Sequence, residues 1–237
     1  MRLFMLFLKA SLLVTLLSSN SFAEKIGVLA KSNGTVKVLQ KDSIKKSKVK
    51  AGYEINSGDL LITYTNASAM IKLLDGSDVV LDKSSQIQFL SENEIHQNSG
   101  EIYYNIVKRG KKNSLKIQTE FAIIGIKGTT FIINDSEDSK SVALSEGLIG
   151  VASLKEEFEL HRKKEMEEYE RFKKEQEMGF EAFKKEMEED IITNVKEFDL
   201  KAGKSISFSG DERVDEKAFK EEQEEQFNHF KELMKSM

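Results

Sequence analysis

Residues 71–81 read Ile-Lys-Leu-Leu-Asp-Gly-Ser-Asp-Val-Val-Leu, two short apolar runs closing on Asp75-Gly76-Ser77. Runs of this length bounded by turn residues are strands. Asp-Gly suits a tight hairpin, with glycine at positive φ and aspartate bonding the backbone ahead. The same pattern extends both ways. Thr35–Leu39, Leu60–Tyr64 and Ala69–Leu74 lead into it. Ile87–Leu90, Ile102–Val107, Leu115–Thr119, Thr130–Ile133, Val142–Leu144 and Leu148–Val151 follow. The separators are Asn33-Gly34, Ser57-Gly58-Asp59, Asn98-Ser99-Gly100 and Glu146-Gly147. Such spacing predicts an all-β sandwich, barrel or solenoid and speaks against a doubly wound α/β fold. Asp75, Gly76, Ser77, Gly100, Gly128 and Gly147 are therefore read as structural turn residues. Gly100 and Gly147 open new strands, and Gly128 allows backbone crowding beside the Phe131 strand.

The N-terminus reads as an address. Arg2 is followed by an apolar stretch to Leu17, and Ser21-Phe22-Ala23 ends a small polar segment. This predicts a signal peptide over 1–23, cleavage before Glu24 and a periplasmic product. Lys9 and the shortness of the stretch argue against a stable membrane span. The chain has no cysteine, so lipidation on cysteine, disulfides and thiolate metal sites are excluded, and no proline, so turns rest on glycine, asparagine and aspartate. Charge is uneven: 9 basic and 14 acidic residues over 155–190, 5 and 9 over 211–237. An acidic extension on a mildly basic body argues against nucleic acid as a partner.

The punctuation has a recognisable order. Gly52, Ile55-Asn56-Ser57-Gly58-Asp59-Leu60, the Asp75-Gly76-Ser77 hairpin, Ser85-Gln86-Ile87, Gly100-Glu101-Ile102, Gly128-Thr129-Thr130-Phe131 and Ser145-Glu146-Gly147-Leu148 follow one another over about a hundred residues. This set resembles the FecR-like domain, a bacterial periplasmic module. The resemblance implies a mainly β, twisted, solenoid- or sandwich-like domain over 24–154 plus 193–210. In the family's best-known setting that domain relays an iron-transport signal to a cytoplasmic sigma factor. The relay version carries a cytoplasmic helical domain and a membrane span ahead of the β domain. Here only the export signal is read there, so the resemblance covers the domain without its anti-sigma portion.

After Val151 glutamate and lysine dominate. Tyr169-Glu-Arg-Phe172-Lys-Lys-Glu recurs as Phe180-Glu-Ala-Phe183-Lys-Lys-Glu, with a weaker copy at Phe158 and His161. The stripe Tyr169, Phe172, Gln176, Phe180, Phe183, Met187, Ile191 has an eleven-residue period. It predicts one inserted helix over 155–192, roughly 55 Å long at the usual rise. Gly179 is its weak point, where a hairpin is the alternative, but the register runs through it. Phe198-Asp-Leu200 to Ile206-Ser-Phe208 reads as two strands about Gly203. A C-terminal helix over 211–237, capped by Asp211, aligns Phe219, Phe227 and Phe230. The two aromatic seams need a covering surface and predict a coiled-coil-like arm. They pack on each other, on a second copy, or on another protein.

Catalytic machinery is not evident. His96 falls in a polar loop, His161 and His229 on charged helices, and no nucleophile elbow, phosphate loop or zinc-protease motif occurs. No cofactor is called for. A glycan hydrolase using Asp75 and Asp78 is the remaining enzymatic idea. Lys45-Lys46-Ser-Lys48 and Lys108-Arg109-Gly-Lys111-Lys112 are plainly read as solvated basic loops. Their functional reading is contact with anionic envelope polymers. The expectation is a non-enzymatic binding or scaffolding module. The alternative is an envelope sensor working with a separate membrane partner.

Overall fold

The computed structural model describes residues 24–110, 114–163, 168–180, 182, 183, 185, 190–210 and 212–237. The expected signal peptide, Met187 and the Asp211 cap lie outside them. The N-terminal half runs β1 (Lys25–Asn33), β2 (Val36–Leu39), β3 (Ser47–Val49), β4 (Glu54–Asn56), β5 (Leu60–Thr63), β6 (Ser68–Leu73), β7 (Asp78–Leu81), β8 (Gln86–Ser91) and β9 (Glu94–Ile106). Then come β10 (Leu115–Gln118), β11 (Ile123–Ile126), β12 (Thr129–Asp135), β13 (Lys140–Glu146), β14 (Leu148–Ala152) and β15 (Phe158–Lys163). The chain ends with α1 (Glu168–Met178), β16 (Asp190–Val195), β17 (Glu197–Lys201), β18 (Lys204–Ser209), β19 (Arg213–Ala218) and α2 (Glu221–Ser236). The fold is mainly β, as the alternating runs imply.

The pairings form two sets of ladders. One runs β4-β1-β6-β7-β9-β12-β13-β18-β19-β15-β16, antiparallel except between β19 and β15. The other runs β3-β2-β5-β8-β9-β10-β11-β14-β17, antiparallel except between β9 and β10. Strand β9 belongs to both. Its first half pairs with β8 and β10, and from Gly100 onward it pairs with β12 and β7. Period-two alternation turns one side of each set inward. Leu29, Ile71, Val79, Tyr104, Phe131 and Ile133 from the first set meet Val36, Leu61, Ile87, Phe89, Ile117, Ile124, Val151 and Leu200 from the second in one buried cluster. Tyr104 stacks on Phe131 with centroids 4.9 Å apart. Where β9 changes sets, buried Gln97 is satisfied: its Nε2 donates to Gly100 O at 2.8 Å and its Oε1 accepts from Tyr104 Oη at 2.9 Å. A buried amide without those partners would be costly.

Gly100 differs from the reading of its sequence. It does not open a strand; it lies inside β9 with φ 91°, and a Cβ there would sit 2.5 Å from Ser85 Cα. Turn-like spelling marks a bend within one strand. Gly76 does turn β6 into β7, as the Asp-Gly pair predicts, while Gly128 and Gly147 mark passages between the two ladder sets. A Cβ on Gly128 would lie 2.7 Å from Lys108 Cα, which is the backbone crowding expected there.

The expected helix over 155–192 is not one helix. Phe158–Lys163 and Asp190–Val195 pair as antiparallel strands, Phe158 opposite Val195 and Lys163 opposite Asp190. Helix α1 ends at Met178, and Gly179 takes φ 80° with no atom crowding its open side. That is the left-handed conformation in which helices stop. Helical residues resume at 180, 182, 183 and 185, and Phe183 N–H donates to Gly179 O at 3.1 Å, so Gly179 interrupts the helical stretch while β15 and β16 lie side by side at its base. Phe158 and His161 belong to a strand, not to a helical repeat. Likewise 211–237 is not all helix: β19 precedes α2, and Lys220, not Asp211, stands at the helix start. His96 lies in β9 rather than in a loop.

Candidate interaction surface

The insertion between β14 and β17 forms an arm. Its base is anchored in the core: Phe158 and Leu160 are buried, and Phe158 meets Phe198 and Phe208 edge-on. Arg162 fastens it sideways. Its Nε donates to Glu216 Oε2 at 2.7 Å, its Nη2 to Asp199 O at 3.1 Å, and its guanidinium lies over the Phe198 ring. One side chain thus joins β15 to β17 and β19, using the planar fork that suits arginine to such work. His161 is buried, with Nε2 2.6 Å from Glu159 Oε1. Further out the arm turns apolar side chains to solvent. Phe172 is 62% exposed, Phe180 61%, and Ile191 and Ile192 are exposed on β16, which among the described residues pairs only with β15. Phe183 is buried. Tyr169 opens the first turns of α1. The insertion's seam is therefore divided, with Phe172 and Phe180 outward and Phe183 inward.

The C-terminal seam is covered, though not by the arm. Phe227 and Phe230 are buried on the outer side of the first ladder set, against Val80, Tyr103, Ile132 and Ala143, with Phe219 and Met234 packed beside them. Phe230 stacks on Tyr103 at 5.6 Å, Phe227 meets the same ring edge-on at 6.2 Å, and Phe219 stacks on Phe227 at 5.8 Å. Polar contacts fix both ends of the helix. Lys220 N–H donates to Gln223 Oε1 at 3.0 Å, and Glu221, Glu222 and Glu224 fill the first turn, where negative charge meets the helix dipole favourably. Lys31 Nζ donates to Met234 O at 3.0 Å, and His229 Nε2 lies 3.1 Å from Asp82 Oδ2. The expected coiled-coil-like arm of the inserted and C-terminal helices is thus replaced by a helix on a sheet and a separate projection, in which helical residues on both sides of Gly179 stand between β15 and β16. A sheet whose outer positions are Val80, Tyr103, Ile132 and Ala143 offers a broader apolar face than a single helix does.

Beneath α2 lies Glu101. Its Oε1 is buried without a hydrogen-bond partner among the described residues. Burial, and then the charge of Asp82, push its carboxyl above the ordinary range, against the pull of His229 and Lys83.

The Asp75 turn is structural. Ser77 N–H donates to Asp75 Oδ1 at 2.9 Å, and the buried Ser77 hydroxyl accepts from Val107 N–H at 3.1 Å, tying the hairpin to the end of β9. Arg109 is no solvated loop residue. Its Nε donates to Asp75 Oδ2 at 2.6 Å, and its Nη1 to Glu92 O and Asn93 Oδ1. Burial pushes Asp75 up, but Ser77 and Arg109 outweigh it and hold the carboxyl below its usual range. Asp78 is paired with Lys72 at 3.0 Å. A carboxylate held ionised in this way is a poor proton donor, so Asp75 is ill suited to the acid role in glycan hydrolysis. Among the described residues no group of three or more histidines or carboxylates has a metal-holding arrangement, and no helix is long and apolar enough to cross a membrane.

Sequence reasoning missed β15, β16, β19, the Arg162 anchor and the Glu101 site. Phe158-Glu-Leu160 alternation and the β-branched run Ile191-Ile192-Thr193 were the available signals.

Residues 59–150 match the family model for FecR protein. Two crystal structures of a candidate anti-sigma factor from Parabacteroides distasonis are similar at 12% identity and a TM-score of 0.45, over 67% of this chain. The chain spans 59% of the length of those proteins. A comparison with curated proteins gives no match.

Proposed function

Proceeding from a FecR-like domain over residues 59–150, we propose that this chain is a non-enzymatic binding or scaffolding protein of the cell envelope, exported to the periplasm by residues 1–23. In this reading the β body is a rigid holder and the arm is the element that meets a protein partner. The observation that carries it is the pair Phe172 and Phe180, each more than three-fifths exposed on an otherwise charged projection. Exposed aromatics rimmed by charge are what protein contacts use as anchors. Their presentation on a hairpin whose base is clamped by Arg162 lowers the ordering cost of docking.

The test is photo-crosslinking in living cells from a photoreactive residue at Lys173, followed by mass spectrometry. A discrete envelope protein in the product, lost with Phe172→Ala plus Phe180→Ala, supports a docking arm. Self-linked species alone assign the arm to self-association, and absence of any product removes the reading.

A second reading follows from the family match itself: an envelope signal sensor acting through a separate membrane protein. It expects that the crosslinked partner spans the inner membrane.

A further inference from the structure

We propose that the β2–β3 hairpin is a docking site for an anionic lipid surface, with Ile44 entering the headgroup layer inside a ring of lysines. Six lysines, Lys37, Lys41, Lys45, Lys46, Lys48 and Lys50, stand in this stretch against one acid, Asp42. None of the six forms an ion pair with a described carboxylate. Lys37 and Lys48 face each other across the ladder, a like-charge pairing that costs stability in an isolated domain. Lys37 Nζ lies over the Tyr64 ring, 5.0 Å from its centroid.

The loop between the strands is preset. Ser43 N–H donates to Gln40 O at 3.0 Å, and Lys45 N–H donates to Ser43 Oγ at 3.2 Å. It holds Ile44 at its tip with 103% relative exposure, beside the exposed Lys45 and Lys46. Lysine on an edge strand also guards against edge-to-edge pairing, and among the described residues β3 pairs only with β2. That accounts for Lys48. It does not account for lysines in the loop or for a fully exposed isoleucine. A soluble polyanion has no use for the isoleucine either, whereas a lipid surface rewards basic charge and an inserted apolar side chain together.

Placement agrees. Strand β3 ends one row of paired strands and β16 ends the other, so the lysines stand at the opposite extreme of the strand order from the acidic arm. A surface that attracts the first repels the second. The site lies outside residues 59–150 and uses none of the arm's residues, so it stands or falls apart from the partner-docking reading.

The test is sedimentation of the full chain with phosphatidylcholine vesicles and with the same vesicles containing phosphatidylglycerol. Binding is expected only to the anionic vesicles, falling as salt is raised. Lys45→Glu plus Lys46→Glu should weaken it about tenfold or more, and Ile44→Asp should weaken it too. All three side chains are exposed, so thermal unfolding should be unchanged. Absence of binding, equal binding to neutral vesicles, or indifference to the lysine changes would overturn the proposal. Full binding by Ile44→Asp would replace it with a charge-only polyanion site. Self-association abolished by the lysine changes would replace it with a contact to the acidic arm of a second copy.

Discussion

Two carboxylates in this molecule are tuned in opposite directions by their neighbours. Asp75 is held ionised by Ser77 and Arg109, so its contribution is present above its unfolded pKa and is lost as pH falls through the lowered folded value. Glu101 is raised by burial and by Asp82, so it costs stability at neutral pH, and the cost lifts as pH falls through the raised folded value. Glu101→Gln should therefore stabilise the protein at pH 7 by about 1 kcal/mol. The gain should shrink on acidification toward the ordinary glutamate range, as thermal melts across pH will show. An unchanged gain at every pH would mean that the charge of Glu101 is not its source. At Gly100, a positive φ coincides with Ser85 Cα 2.5 Å from any added Cβ. Gly100→Ala should cost more than about 2 kcal/mol, because strain and overlap add. Urea denaturation midpoints will measure it.

At the scale of elements, the two aromatic seams share a spelling but not an environment. Phe230 is fully buried on Tyr103, while Phe172 is mostly in water. Phe230→Ala should cost about 3–5 kcal/mol, as other large-to-small core changes do. Phe172→Ala should change stability by less than about 0.5 kcal/mol. Chemical denaturation of the two variants tests both, and similar losses would mean that the arm folds back onto the body in solution. The arm hangs on Arg162, whose bonds reach Glu216 and Asp199 O. Its removal should leave the body's stability nearly intact while raising backbone hydrogen exchange in β15 and β16.

At the scale of the whole molecule, one buried cluster draws on both ladder sets and on the base of the arm. The inward faces of the two sets are buried only against each other, so unfolding of the β body should be a single cooperative event. Far-ultraviolet circular dichroism and tyrosine fluorescence should give coincident transitions, Tyr104 lying at the centre of that cluster. Separate transitions would show that the arm or α2 unfolds independently.

Legibility followed the range of the forces involved. Most β runs from Leu60 to Val151, though not β11 or the first half of β9, together with the Asp75-Gly76 and Gly203 turns, were readable because period-two alternation and turn chemistry act over a few residues. The aromatic spacing of α2 was readable for the same reason, with Phe227 and Phe230 on one face. Three things were settled only in the folded chain. The Glu/Lys-rich segment from 155 to 192 split into strands with helical residues between them because Phe158 and Leu160 gain more from the core than from a solvated helix, and Gly179 interrupts the helical part. Phe230 found Tyr103 rather than the other seam because the sheet offered the larger apolar face. Arg109 and Arg162 became anchors because Asp75 and Glu216, far away in sequence, were brought to them. Local pattern names the elements; which faces meet is decided by long-range burial, which no short window of sequence contains.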